Sequence, residues 1–154
     1  MTLSLQDSIC IDLRLLICMP VFLSACSADP EPIAFGTDQC SYCKMTISDP
    51  RFGGELVTLK GKVFKFDALE CLITYEKEST ENDFAHILGL AYDEPGKLIA
   101  VDQLKFAISE QFPSPMGAHL AAFSADPPDE HTSLNWRTLQ NRLSLSHPAN
   151  SPEK

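Results

Sequence analysis

Residues 15–25 form an apolar run that ends directly before Cys26, and this run determines which part of the 154-residue chain can fold as a domain. The run is too short to cross a bilayer as a helix, which needs about 20 apolar residues. Its length and its position after Arg14 are typical of the hydrophobic region of a secretory signal. We therefore predict that residues 1–25 are removed and that the folded domain lies within residues 26–154.

The end of this run, Leu23-Ser24-Ala25-Cys26, resembles the lipobox of bacterial lipoproteins. The resemblance implies cleavage before Cys26 and attachment of lipid to its sulfur, which anchors a protein to a membrane. Ser27 stands where an Asp would retain a lipoprotein at the inner membrane, so we expect the outer membrane, facing the periplasm. An amphipathic N-terminal helix is the alternative interpretation, because Asp7 and Asp12 lie where a signal is normally basic.

The charge of the chain excludes one large class of function. Lys and Arg number 12 and Asp and Glu number 21, which gives a net charge of −9. Binding to nucleic acid requires clustered basic side chains, so we expect no nucleic-acid partner. Residues 26–37 are interpreted as the lipidated N-terminus with a flexible tether, and residues 144–154 as a disordered polar tail. Residues 38–143 then form the domain.

Within the domain, the hydrophobic pattern predicts an α+β fold. Two short strand-like segments on either side of Lys60-Gly61 indicate a β-hairpin. Asp67 follows the hairpin and can cap a helix over residues 68–78. A shorter copy of this order indicates two small ββαβ-like lobes, about residues 38–108 and 109–143, with mainly antiparallel strands and one shared core. The predicted segments are strands at 55–59, 62–66, 86–92, 97–101 and 116–123 and helices at 68–78 and 137–143.

Three cysteines remain once the signal is removed and Cys26 is lipidated, namely Cys40, Cys43 and Cys71. An odd number cannot all pair within one chain, and an unpaired thiol in an oxidising compartment requires an explanation. Metal binding is the first candidate. Cys71 lies beside Leu72 in the predicted helix, and we expect it to be a buried core thiol.

The segment Cys43-Lys44-Met45 carries the clearest metal-binding pattern. If it is extended, the thiol and the thioether point to the same face. These two soft ligands suit Cu(I), whereas zinc seldom accepts a thioether. Two other interpretations stay open: Met45 as a core residue, and Cys40 with Cys43 as a disulfide or redox pair. Haem attachment is excluded, because it requires His directly after the second Cys.

Four short motifs follow one another along the chain. They are Cys40-Ser-Tyr-Cys-Lys-Met45, Asp49-Pro-Arg-Phe52, Phe66-Asp-Ala-Leu-Glu-Cys71 and Ser114-Pro-Met-Gly117. In this order, behind a lipobox, they resemble the NosL family over about residues 20–143. The resemblance implies a lipoprotein that delivers copper to nitrous-oxide reductase, whose catalytic centre is a copper–sulfide cluster.

The resemblance also implies the ligands of a Cu(I) site. Cys43 and Met45 match the family's Cys-x-Met copper motif, and Met116 matches the Met of its Pro-Met-Gly segment. Cys40 matches a Cys found in part of the family, and His119 is a further candidate. We therefore predict a Cu(I) carrier that is not an enzyme, with nitrous-oxide reductase and its maturation machinery as partners. The alternative is an envelope thiol–disulfide reductant in which Cys43 attacks and Cys40 resolves.

Two local features qualify these assignments. Lys44 stands where the family commonly has a small residue such as Gly, and a cation there would favour the Cys43 thiolate. If residues 116–120 are extended, Met116 and His119 point to opposite faces, so both can bind one ion only around a turn.

Overall fold

The computed structural model describes residues 28–81, 83–128 and 130–146. The predictions for residues 1–25, for Cys26 and for residues 147–154 concern parts of the chain outside the described residues. Within the described ranges, no helix is long and apolar enough to cross a bilayer. The elements in chain order are β1 Gly54–Thr58, β2 Val63–Phe66, α1 Leu69–Glu78, β3 Phe84–Leu90, β4 Leu98–Ala100, β5 Lys105–Ile108, β6 Leu120–Phe123 and α2 Trp136–Ser146.

Strands β1 to β4 form one antiparallel sheet in the order β2-β1-β3-β4. The central strand β1 is buried along its whole length. Gly54 opens this strand because there is no room for a side chain: a Cβ there would lie 2.2 Å from the carbonyl oxygen of Leu88. On the edge strand β2, Phe64 and Phe66 are buried and alternate with partly exposed residues, as the two-residue period of a strand requires.

Helix α1 packs on this sheet and contributes its apolar face to the core. The helix begins after Ala68, whose backbone is extended, and no side-chain hydrogen bond caps it. The prediction that Asp67 caps the helix is therefore wrong. Its side chain is buried and accepts a hydrogen bond from the Cys43 thiol instead. The buried residues of α1 are Leu69, Cys71, Leu72 and Ile73.

Strands β5 and β6 form a second, two-stranded antiparallel sheet. Its side chains join the same core as the first sheet, with Phe106 and Leu120 in contact with that cluster. Leu139 of α2 closes the core from this side and is fully buried. The larger hydrophobic core therefore serves both halves of the domain, as predicted. The other face of β5 and β6 packs into a second, smaller cluster with Phe52, Ala107, Phe112, Ala121 and Phe123.

The predicted α+β class with antiparallel strands is confirmed, and four details differ from the prediction. Strand β5 was not predicted, and it pairs with β6, so the boundary between the two sheets precedes Lys105 instead of following residue 108. Among the described residues, the second lobe is ββα without a final strand, and only an isolated bridge joins Phe106 to Leu134. Strand β6 begins at Leu120 instead of residue 116. Helix α2 ends at Ser146, three residues inside the segment interpreted as a tail.

Candidate functional site

A tight turn presents the Cys-x-Met motif. The bridge between Gln39 and Thr46 closes the turn, and the Cys40 amide donates to the Met45 carbonyl over 2.8 Å. Inside it, Lys44 has a positive φ of 65°, a conformation that glycine adopts at no steric cost. The expectation of an extended segment with Cys43 and Met45 on one face is therefore wrong, because the left-handed residue between them reverses the chain.

Behind the turn lies a cluster of four ligand-bearing side chains. The sulfurs of Cys40, Cys43 and Cys71 and a carboxylate oxygen of Asp67 all lie within 4.8 Å of one another. Cys40 and Cys71 are 0% and 1% exposed, whereas Cys43 is half-buried. The Cys43 sulfur lies 3.4 Å from Oδ1 of Asp67, and Oδ2 of that carboxylate is buried with no hydrogen-bond partner. Such a set can hold a thiophilic metal ion.

The electrostatics of the cluster separate its three thiols. The Cys71 thiol donates a hydrogen bond to the Cys40 sulfur, which lowers the pKa of Cys40 and raises that of Cys71. Backbone amides of Asp67 and Cys43 also donate to the Cys40 sulfur and lower its pKa. The pKa of Cys43 is raised, chiefly because burial disfavours the thiolate. Cys40 is therefore the sulfur that the protein best prepares to carry negative charge.

Lys44 does not act on Cys43 as the sequence suggested. Its ammonium group donates to the Ser41 carbonyl over 2.7 Å and so closes its own turn. The expected lowering of the Cys43 pKa is absent, because burial outweighs the hydrogen bond from the Met45 amide.

Met116 lies in a second turn, which is attached to the start of α1. The amide of Gly117 donates to the Ser114 carbonyl over 3.0 Å, and Gly117 has a positive φ of 76°. The Ser114 hydroxyl then donates to Oε1 of Glu70 over 2.5 Å. Glu70 directly precedes Cys71 in the first turn of α1. The two methionine-bearing turns therefore converge on the same end of this helix.

The two methionines are on the surface. Met45 is 52% exposed and Met116 is 43% exposed, so neither is the core residue that the open alternative for Met45 required. Met45 lies on the turn that carries two of the cluster thiols, and Met116 lies on a turn bonded to Glu70, the neighbour of Cys71 in the chain. They can therefore offer soft ligands to an ion that arrives from solvent.

His119 lies outside the thiol cluster. The chain around it is a turn, because Gly117 and His119 both have positive φ, so the expected extended segment at 116–120 is absent. Its Nδ1 atom is buried and has no hydrogen-bond partner in the structure. His119 thus stays a separate candidate ligand beyond Met116.

Sequence reasoning missed the contribution of Asp67 and Cys71 to this cluster. Asp67 was assigned to a helix cap and Cys71 to the core, and Cys71 is indeed buried. The local pattern carries no clear signal for this, because Asp67 lies before the helix and the tertiary fold brings it to Cys71. The earlier argument against zinc, drawn from Met45, does not apply to the cluster, since three thiols and a carboxylate are ligands that zinc accepts.

The fold resembles that of a protein of known structure. The crystal structure of the copper chaperone NosL from Shewanella denitrificans matches with a TM-score of 0.59 and 18% sequence identity. The match covers 72% of this chain and 95% of that chain. No family model and no curated protein matches the sequence. The likeness confirms that the chain has the fold that its motifs implied.

Proposed function

We propose that this protein is a copper chaperone that binds one Cu(I) ion at Cys43, Met45 and Met116 and passes it to another protein. The observation that carries the proposal is that two exposed methionines lie on turns held near the start of α1, one by the contact of Cys43 with Asp67 and the other by the bond of Ser114 to Glu70. Thiolate and thioether are soft ligands, and soft ligands select Cu(I) among the metals of the cell. The shared fold with a copper chaperone supports the same conclusion.

The exposure of the site suits transfer better than storage. A ligand of the receiving protein can approach an ion held at Met45 and Met116 from solvent, form a new bond and displace one thioether at a time. No substrate is chemically changed, so the protein acts as a carrier and not as an enzyme. The chain is acidic, with a net charge of −9, and this charge steers it towards a basic patch on a partner at low salt.

The motifs support a partner and a location for this proposed carrier. The NosL resemblance supports nitrous-oxide reductase and its maturation machinery as recipients, with the copper destined for the copper–sulfide centre. The lipobox supports a lipid anchor at Cys26, which places the domain at a membrane surface facing the periplasm. Mass spectrometry of membrane-extracted protein tests the anchor, and an unmodified Cys26 would contradict it.

The metal-binding test is an anaerobic titration of the reduced protein with Cu(I) against a Cu(I)-specific chelator. Cys43→Ala should abolish tight binding, because it removes the accessible anionic ligand. Met45→Ala and Met116→Ala should weaken binding less and slow the transfer of copper to the chelator. Leu59→Ala is the control, since Leu59 is 63% exposed and carries no ligand atom.

The same variants separate the chaperone from the thiol–disulfide reductant. A reductant depends on Cys40 and Cys43 and is indifferent to Met45. Disulfide reduction by the wild type that survives Met45→Ala, together with weak Cu(I) binding, would overturn the proposal. Copper transfer to purified copper-free nitrous-oxide reductase, measured by recovery of its activity, then tests the recipient.

A further inference from the structure

We infer that the sulfurs of Cys40, Cys43 and Cys71 form a second, inner position for the same Cu(I) ion, which shares Cys43 with the outer ligands. This inference rests on the proposed function and adds ligands to it. An ion enters through Met45 and Met116, moves inward and is held by three cysteines. Each thiol that binds the ion as a thiolate releases its proton to solvent.

The distances in the cluster fit three-coordinate copper. With metal–sulfur bonds of about 2.3 Å, the sulfurs of a trigonal site lie about 4 Å apart. The three sulfurs here are already within 4.8 Å of one another, so small side-chain rotations suffice to close the site. No disulfide joins any of the three cysteines described.

Burial distinguishes the two positions. The inner sulfurs of Cys40 and Cys71 are fully enclosed, and an ion bound there is protected from solvent ligands. The outer thioethers of Met45 and Met116 are about half exposed and can exchange with a partner. Cys43 belongs to the cluster but is only half-buried, so it can remain bound while the other ligands change. A carrier needs both properties, protection during transit and access at delivery.

The polar atoms around the cluster are a second, independent indication of a ligand. Asp67 is 3% exposed, and its Oδ2 atom has no hydrogen-bond partner in the structure, an arrangement that costs free energy in a core. A metal ion held by the neighbouring sulfurs would give this oxygen the partner that it lacks. The Oδ1 atom of this carboxylate accepts from the Cys43 thiol, whereas Oδ2 makes no such contact and caps no helix, so Oδ2 is the atom that a bound ion explains.

The inner position changes the expected ranking of the ligands. With outer ligands alone, Cys43 matters most for affinity, the two methionines come next and Cys40 matters least. With the inner position, Cys40 and Cys71 determine affinity, and the methionines determine the rate of exchange. The double variant Met45→Ala/Met116→Ala separates the two arrangements, and because both side chains are exposed it leaves the core intact.

The experiment uses the mature protein, fully reduced and anaerobic, loaded with one equivalent of Cu(I). X-ray absorption at the copper edge counts the sulfur ligands, and chelator competition gives the affinity. In the double methionine variant we expect three sulfur ligands, less than a tenfold loss of affinity and slower transfer to the chelator. Cys40→Ser and Cys71→Ser should each weaken binding at least tenfold, with Ile73→Val as the control for packing in α1.

Two results would overturn the inner position and leave the proposed function standing. One is a double methionine variant that has a single sulfur ligand on copper and has lost tight binding. The other is wild-type affinity in Cys40→Ser and Cys71→Ser while Cys43→Ala still abolishes binding. A wild type that binds no copper would instead refute the proposed function itself. Circular dichroism of each copper-free variant identifies any loss that arises from unfolding.

Discussion

The bond between Ser114 and Glu70 holds the Met116 turn on α1, and Ser114→Ala should therefore destabilise the protein in a pH-dependent way. Burial raises the pKa of the Glu70 carboxyl above its ordinary value of 4.5, although the Ser114 hydroxyl and the Ala118 amide favour the ionised form. A hydrogen bond to a charged group contributes about 1.5–3 kcal/mol, and one to a neutral group about 0.5–1.5 kcal/mol. The stability lost in Ser114→Ala should therefore be about 1.5–3 kcal/mol where Glu70 is ionised and about 0.5–1.5 kcal/mol near pH 4, where it is neutral.

The sign of the pH dependence follows from the raised pKa. The folded protein binds the Glu70 proton more tightly than the unfolded chain, so the carboxyl's contribution to stability is fully present below pH 4.5. It is lost as the pH rises through the folded pKa. Removal of the Ser114 hydroxyl raises the Glu70 pKa further. The free energy of unfolding of the variant should then fall more steeply as the pH rises.

A double-mutant cycle of Ser114→Ala and Glu70→Gln, measured by urea unfolding from pH 4 to pH 9, isolates this pair. Glutamine keeps the acceptor oxygen but cannot titrate. The free-energy cost of Ser114→Ala should therefore depend on pH when residue 70 is glutamate and stay constant when it is glutamine. Ser109→Ala is the control, because the Ser109 hydroxyl accepts a bond in an exposed turn and should contribute less than about 0.5 kcal/mol. A coupling that is constant over this pH range would refute the reasoning.

Three further perturbations test other parts of the structure. Asp67→Asn should lower the affinity for both ions, by roughly tenfold or more for Zn(II), which readily takes a carboxylate ligand, and by less for Cu(I). Competition titrations with both ions check this, and equal losses would mean that Asp67 acts through the fold. Asp38→Asn should cost about 0.5–1 kcal/mol at neutral pH and progressively less in acid. Lys65 lies 2.9 Å away and lowers the pKa of Asp38, so this stability is present above pH 3.8 and disappears as the pH falls through the folded pKa; acid unfolding measures it. Gly54→Ala should cost about 1–3 kcal/mol by overpacking against the Leu88 carbonyl, and unchanged thermal stability would contradict the close approach.

The regular elements of the first sheet were predictable from the sequence, because their apolar residues follow the periods of strand and helix closely. The hairpin at Lys60-Gly61 and helix α1 are both present near the expected bounds. Strand β5 was missed, since its four residues include one exposed Lys105 and no turn dipeptide precedes it. A loop over residues 109–119 separates β5 from its partner β6. Their pairing depends on the core that both strands share and not on a hairpin motif between them.

The candidate site was only partly predictable, and for a different reason. Which residues belong to the site depends on backbone conformation and on burial, and the apolar pattern of strands and helices does not encode either. The positive φ of Lys44 reverses the chain between Cys43 and Met45, and a lysine at that position gives no sign of it. Asp67 has the composition of a helix cap, yet the packing turns its carboxylate towards the thiols. Polar residues of this kind acquire their roles from tertiary contacts.

The position of the thiol cluster in the chain has a consequence for the lifetime of the protein. Cys40 lies before the β1–β2 hairpin and Cys71 lies after it, in α1. A metal ion that binds both sulfurs therefore cross-links the two ends of the segment from Cys40 to Cys71. While the ion stays bound, the unfolded chain has fewer conformations, so unfolding gains less entropy. Ions that bind only the folded state shift the unfolding equilibrium by about 4 kcal/mol at a concentration 1,000 times the Kd. A loaded carrier should accordingly survive proteolysis much longer than an empty one, so that proteases remove first the molecules that carry no copper.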